Sequence, residues 1–214
     1  MSTRIDSDED IASGLAWLMT RDPVFAEMSA LAGPLPLRRS AGGFAGLAGI
    51  VIAQQLSVKA ANAIEARVEA LVPGLDPKRF ALKREATLRA AGLSAAKVKT
   101  LKAAAKAMVK GELDHDVLLT LDSDGVREKL TALPGIGPWT ADIYCLFCLG
   151  HGDAFAAGDL ALQEAVRIAY ALDSRPKEKA LLAMAEAWRP WRGVAARLLW
   201  AYYRVVKMRE GVTG

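Results

Sequence analysis

Cysteine and histidine are scarce in this chain of 214 residues, with two of each. Cys145 and Cys148 stand three apart in an apolar run, and His115 and His151 lie elsewhere. A structural zinc site takes four Cys or His ligands, and a lone Cys-x-x-Cys does not complete one. Two small buried thiols in a reducing compartment are the plainer reading. Long hydrophobic runs are missing too. No stretch reaches the roughly 18 uninterrupted apolar residues of a membrane-spanning helix. Residues 1–10 are acidic and polar, without the apolar centre of a secretory signal. The chain therefore reads as a soluble, cytoplasmic protein with no membrane partner. It also lacks alternating strand patterns, internal repeats, low-complexity tracts and a clear linker.

What the chain does have is helical periodicity. It is 52% hydrophobic and 24% charged, the balance of a folded globular protein. Its net charge of +4 permits a polyanionic partner without requiring one. Apolar spacing and capping residues predict helices over 6–18, 22–30, 43–53, 57–71, 84–91, 94–109, 124–132, 138–149, 159–171, 176–187 and 190–208. Asp22-Pro23, Ser57 and Ser94 serve as starts, and Gly92 serves as a stop. Residues 33–40 and 150–158 read as loops. The expected fold class is all-α, one helical unit of two lobes.

One segment stands out from this background. Leu133-Pro134-Gly135-Ile136-Gly137-Pro138-Trp139-Thr140 joins two predicted helices. Gly135 and Gly137 allow a sharp turn with positive φ, and Pro138 suits the first turn of the next helix. The amides left unpaired at such a start point outward and favour an anion. On turn chemistry alone, the segment is either a phosphate cradle or a plain connection punctuated by Pro and Gly.

Four segments in order carry a resemblance. They are Ile52-Ala53-Gln54-Gln55-Leu56-Ser57, Leu133 to Ala141, Ala157-Gly158-Asp159-Leu160-Ala161-Leu162-Gln163, and Trp188-Arg189-Pro190-Trp191-Arg192. Together they resemble the helix-hairpin-helix superfamily of DNA glycosylases, in its 3-methyladenine DNA glycosylase II branch, over about residues 45 to 205. The resemblance implies a two-lobed helical fold with the active site between lobes at about 41–156 and at 1–40 plus 157–214. With only residues 1–44 ahead of the matched region, it implies the short form without an N-terminal β-domain.

It also implies roles. Asp159, which also reads as a helix N-cap, is the catalytic carboxylate. It would stabilise the positive sugar and orient or deprotonate the attacking water. Trp139, Trp200 and Tyr144 would meet the extruded base, although Trp200 reads equally as part of a core-facing stripe with Tyr203. Gln54, Gln55 and Leu56 form a helix-to-helix corner suited to filling the gap in the duplex, with Gln55 the foremost wedge candidate. Gly135, Ile136, Gly137 and Thr140 would hold DNA. Related glycosylases that also cut the strand carry a nucleophilic lysine where Trp139 stands, so hydrolysis without a lyase step is expected.

No cofactor is required by this reading. A sodium or potassium ion on the backbone carbonyls of Thr131, Leu133 and Gly135 is implied by the relatives alone. Two departures concern substrate range: Gly158 replaces an acidic residue, and Ile143 replaces a pocket tyrosine. Asp153 reads as structural, Trp188 and Trp191 as staples of the last helix, and Arg192 as solvated. Lys97, Lys99 and Lys102 read either as phosphate contacts or as a solvated face. The expected activity is excision of alkylated purines, 3-methyladenine first and 7-methylguanine as a further candidate, from double-stranded DNA in base excision repair. The protein would act as a monomer, at the nucleoid if bacterial. The alternatives are a non-enzymatic helix-hairpin-helix DNA-binding module and a glycosylase for other damaged bases. An iron–sulfur glycosylase is disfavoured, since that class uses four cysteines.

Overall fold

The computed structural model describes residues 3–212. Its helices are α1 (Asp8–Arg21), α2 (Pro23–Ala32), α3 (Gly43–Ala53), α4 (Val58–Leu71), α5 (Pro77–Leu82), α6 (Glu85–Ala90) and α7 (Ala95–Val109). They continue with α8 (His115–Thr120), α9 (Ser123–Thr131), α10 (Pro138–Tyr144), α11 (Leu160–Ala169), α12 (Glu178–Ala185) and α13 (Arg192–Val212). Among the described residues there is no strand, only an isolated bridge pairing Arg4 with His151. None of the described helices is long and apolar enough to cross a membrane. The chain is all-α, and its residues divide into two compact units, one of 3–39 with 150–212, the other of Ser40–Leu149.

Local capping chemistry sets most helix starts. The Ser7 hydroxyl accepts from the Asp10 amide while the Asp10 carboxylate accepts from the Ser7 amide, a reciprocal pair that opens α1. Asp22, Ser57, Ser94 and Asp159 cap α2, α4, α7 and α11 through a side-chain oxygen that accepts from the first-turn amides. Two short helices escaped the periodicity reading. α5 and α8 are six residues each and are started by Asp76 and Asp114. The helix expected over 138–149 is α-helical only to Tyr144. Cys145–Leu149 then winds one wider, π-helical turn whose five side chains are all buried. Both cysteines in it are free thiols.

In the first unit, α13 packs against α2, α11 and α1. Trp188, buried just before α13, contacts Phe25 and Phe155 edge-on at 5.5 and 5.6 Å and stacks on Tyr170 at 6.5 Å. Trp191 lies so close to Gly14 that a β-carbon there would come within 2.6 Å of its ring. These two indoles do staple the last helix to its unit. Arg192 is not solvated. It forks onto Asp153 at 2.8 and 2.9 Å and reaches Glu186 at 3.2 Å, because the loop carboxylate faces the start of α13. Asp153 also takes Arg189, so this carboxylate is structural.

In the second unit, α3 supplies the core with Phe44, Leu47, Ala48, Val51 and Ile52. It meets Val98, Leu101, Ala104 and Ala105 of α7, and Phe80 of α5, whose ring sits 5.0 Å from that of Phe44. Completely burying such side chains contributes about 1.5–3 kcal/mol each, so this packing holds α3 and the two elements at its end in register. α9 and α10 form the hairpin pair. Arg127 on α9 bonds Asp142 on α10 at 2.6 Å. Burial works against the Arg127 charge, but the Asp142 carboxylate more than offsets it and raises the guanidinium pKa.

Candidate functional site

Three groups of predicted residues can be followed, one in the first unit and two in the second. In the first, Asp159 is the N-cap of α11 and is half-buried. Its Oδ1 accepts from the amides of Ala161 at 2.9 Å and Leu162 at 3.1 Å. The same oxygen accepts from Trp200 Nε1, on α13, at 3.1 Å. Behind it, the buried Gln163 side chain donates to Ala157 O at 2.8 Å and pins the loop that delivers the aspartate. Leu160 stands 61% exposed beside it. Sequence alone left Trp200 between a pocket and a core stripe. It is half-buried and its N–H goes to the carboxylate, which sets the indole beside Asp159. At Gly158, a β-carbon would come within 3.5 Å of Glu178 Oε2. An acidic side chain in place of Gly158 would face the Glu178 carboxylate.

The hairpin forms the second group. Gly135 has φ +81°, and a β-carbon there would lie 2.0 Å from the Thr100 hydroxyl. Only glycine fits. Gly137 differs from expectation, with φ −96° and ψ 173°, extended backbone that any residue adopts. What distinguishes it is space, since nothing lies within 4 Å of where its β-carbon would point. It is the N-cap of α10, without a side-chain cap, and Pro138 follows at the first helical position. The helix start is thus open for close backbone approach by an anion. Trp139 is half-buried in that first turn.

Three residues predicted here are withdrawn from any surface. Ile136 packs its side chain into the unit at 5% exposure, and its N–H donates to Leu133 O at 3.2 Å to close the turn. Tyr144 is fully buried and is not a substrate contact in this arrangement. Its hydroxyl takes the Gly43 amide at 2.9 Å and shares a hydrogen bond with His115 Nδ1 at 3.0 Å. Burial pushes the Tyr144 phenol pKa upward, so it stays a neutral strut between α10, α8 and the start of α3. The Thr140 side chain is also interior, at 2% exposure.

The corner forms the third group. Gln54 ends α3 and its side-chain Nε2 donates to Thr140 Oγ1 at 2.8 Å, which links the corner to the hairpin helix. Gln55 is exposed and left-handed, with φ +58°. Leu56 is 39% exposed, and its N–H closes the turn on Ala53 O at 3.2 Å. Lys97 and Lys102 are not a phosphate-facing cluster. Lys97 Nζ donates to Ile52 O and Gln54 O, both at 2.8 Å, and Lys102 Nζ donates to Lys83 O at 2.7 Å. Each supplies a donor that a helix C-terminus lacks. Burial lowers the Lys97 pKa from its ordinary value.

Comparisons with known proteins place the chain in a family. Residues 48–192 match the model of the HhH-GPD superfamily of base excision DNA repair proteins. The chain belongs to that superfamily. It is 32% identical over 154 residues to DNA-3-methyladenine glycosylase 1 of Schizosaccharomyces pombe, covering 70% of this chain and 68% of that protein. It spans 32% or less of the length of three further curated relatives. The structure of the S. pombe 3-methyladenine DNA glycosylase in complex with abasic DNA superposes with a TM-score of 0.81 at 29% identity, over 88% of this chain and 95% of that one. A DNA-3-methyladenine glycosidase from Bacillus halodurans gives 0.80 at 31% identity, over 97% and 94%.

Proposed function

We propose that this protein is a monofunctional DNA glycosylase that hydrolyses the N-glycosidic bond of alkylated purines in duplex DNA, 3-methyladenine foremost, as the opening step of base excision repair. The observation that carries this reading is the Asp159 carboxylate, held at a helix N-terminus with one oxygen fixed by two amides and the Trp200 indole. The relatives' activities support it.

The open start of α10 at Gly137 holds a backbone phosphate, which positions the duplex without reading its sequence. The damaged nucleotide leaves the stack at a cost of a few kcal/mol, and Gln55 fills the gap. Trp139 stacks on the extruded base. An alkylated purine carrying positive charge gains about 0.5–2 kcal/mol against an indole. As the C1′–N bond breaks, its electron pair leaves with the base, which becomes neutral, so no general acid is needed. Asp159 stabilises the oxocarbenium-like sugar, and as water adds to C1′ the carboxylate takes the water proton. With Trp139 where strand-cutting relatives have a lysine, no Schiff base forms.

A weakly bound sodium or potassium ion on the carbonyls of Thr131, Leu133 and Gly135 belongs to the same reading. Neutral carbonyl oxygens suit such an ion, and the Leu133 carbonyl keeps a lone pair beyond the one that takes the Ile136 amide. Site of action follows substrate: the cytoplasm, at the nucleoid if the cell is bacterial. The test is incubation with N-methylated duplex DNA. Free 3-methyladenine and intact strands bearing abasic sites are expected, with no borohydride-trapped adduct. Strand scission or trapping by the wild-type protein refutes the hydrolytic mechanism.

A further inference from the structure

The corner after α3 contains a side chain where the backbone would prefer none. Gln54, which follows α3, is extended at φ −53° and ψ 128°, and Gln55 at φ +58° comes next in a type II turn closed by the Leu56 amide on Ala53 O, the slot of that turn that glycine usually takes. A glutamine there is strained relative to glycine. Its retention makes sense if the exposed side chain is itself needed and something else holds the backbone.

Lys97 is that something. It lies in the first turn of α7, where Ser94 Oγ takes its own amide at 3.2 Å. A cation in a first turn opposes the helix dipole, so Lys97 is not placed there for the benefit of α7. Its ammonium instead meets the C-terminal end of α3, where carbonyls lack partners and a positive charge is favourable. It clamps Ile52 O and Gln54 O at 2.8 Å each, on either side of Ala53, whose own carbonyl takes the Leu56 amide. The Gln54–Gln55 peptide is therefore held from its carbonyl side, and the Gln54 side chain is held by Thr140.

We propose that Lys97 is a positioning residue for duplex insertion: by clamping the carbonyls of Ile52 and Gln54 it locks Gln55 in the left-handed conformation and presents its side chain as a pre-formed wedge. This rests on the glycosylase reading above. A wedge already in place spares the ordering of a flexible corner at the moment the base leaves the stack. Because the Gln54–Thr140 bond joins the corner to the helix that follows the hairpin, gripping phosphate and inserting Gln55 become one rigid event.

The test compares wild type, Lys97→Met, Lys97→Arg, Gln55→Ala and the double variant K97M/Q55A. Excision is measured under single turnover on two duplexes, with 7-methylguanine either paired with cytosine or opposite an abasic gap where extrusion is cheap. Lys97→Met should slow excision from the paired duplex about tenfold or more. The loss should be much smaller on the gapped duplex, and affinity for undamaged duplex should stay within about threefold. Lys97→Arg keeps the donors and should recover most of the rate. K97M/Q55A should be no slower than Gln55→Ala, since one residue acts through the other.

Hydrogen exchange gives a readout that needs no substrate. The Leu56 amide should lose protection in Lys97→Met while core amides of α7 keep theirs. If Lys97→Met does not fold, Lys97→Gln retains one donor and should show a smaller loss of the same kind. Wild-type protein that releases no base from either duplex and no 3-methyladenine from N-methylated duplex overturns the glycosylase reading and this assignment with it. Wild-type release with a Lys97→Met rate that is unchanged, equally reduced on both duplexes, or multiplicative with Gln55→Ala overturns the positioning role alone.

Discussion

Trp200 Nε1 donates to Asp159 Oδ1 at 3.1 Å, on the same carboxylate oxygen that receives the amides of Ala161 and Leu162. The indole thus orients the carboxylate in addition to any contact with a base. Trp200→Phe keeps an aromatic face and removes the N–H. A hydrogen bond to a charged acceptor contributes about 1.5–3 kcal/mol, so kcat should fall about tenfold or more. If instead KM rises with kcat unchanged, the ring acts by stacking alone.

Asp159→Asn separates cap from catalyst. Asparagine caps a helix about as well as aspartate, so the thermal midpoint should shift little. Excision should drop by about two orders of magnitude or more, since a charge aimed at the developing sugar cation is lost. Damaged-DNA binding should persist, as measured by fluorescence anisotropy. Near-wild-type turnover in this variant would sink the mechanism.

Much of this was legible in the sequence because it is local. The bounds of α3 and the caps Asp22, Ser57, Ser94 and Asp159 follow from residues within four positions of each helix start. The rest depends on contacts that no local pattern announces. Lys97 meets Gln54 from 43 positions away, and Gly43 meets Tyr144 from 101. Tyr144 reads as a pocket residue because it stands one position from Ile143, where relatives carry a pocket tyrosine. The π-helical turn after it and the strut through His115 place the ring inside. Gly137 taught a similar lesson: a glycine in a turn suggests positive φ, whereas this one provides empty space.

The two hairpin glycines should therefore fail differently. Gly135→Ala sets a β-carbon against Thr100 and strains a φ of +81°, and should destabilise the fold by about 1–3 kcal/mol in urea titrations. Gly137→Val meets no protein atom and suits its extended backbone. It should leave the urea midpoint within about 0.5 kcal/mol of wild type. Affinity for damaged and undamaged duplex should fall alike, with a shallower dependence on salt as a phosphate contact is lost. Reversal of the two phenotypes would mean that the phosphate is held elsewhere.

The Arg127–Asp142 pair joins the helices on either side of the hairpin, and the Asp142 side chain is 6% exposed. Asp142→Asn leaves the half-buried guanidinium without its counter-charge. Removing one member of such a pair costs about 3–5 kcal/mol when both are buried, and Arg127 is 33% exposed, so a loss of about 2–4 kcal/mol is expected. Replacing both, as Arg127→Met with Asp142→Leu, should recover a good part of it. Urea unfolding of these two variants, and of Arg127→Met and Asp142→Leu singly, measures this, and strictly additive losses of the singles in the double would contradict a direct pairing.

Trp139 stands in the first turn of α10, and its proposed partner is a base made cationic by alkylation. Attraction between a cation and an indole face exceeds that of neutral stacking by about 0.5–2 kcal/mol, a factor of roughly 2 to 30 in affinity. Trp139→Leu keeps apolar bulk and discards the ring. It should weaken excision of the charged purines 3-methyladenine and 7-methylguanine by that factor, read as kcat/KM. Neutral hypoxanthine should suffer less, because it gains only stacking from the indole. The ratio of charged to neutral excision is the informative quantity, since it cancels general damage to the fold. A ratio that stays at the wild-type value in Trp139→Leu would show that charge on the base is recognised elsewhere.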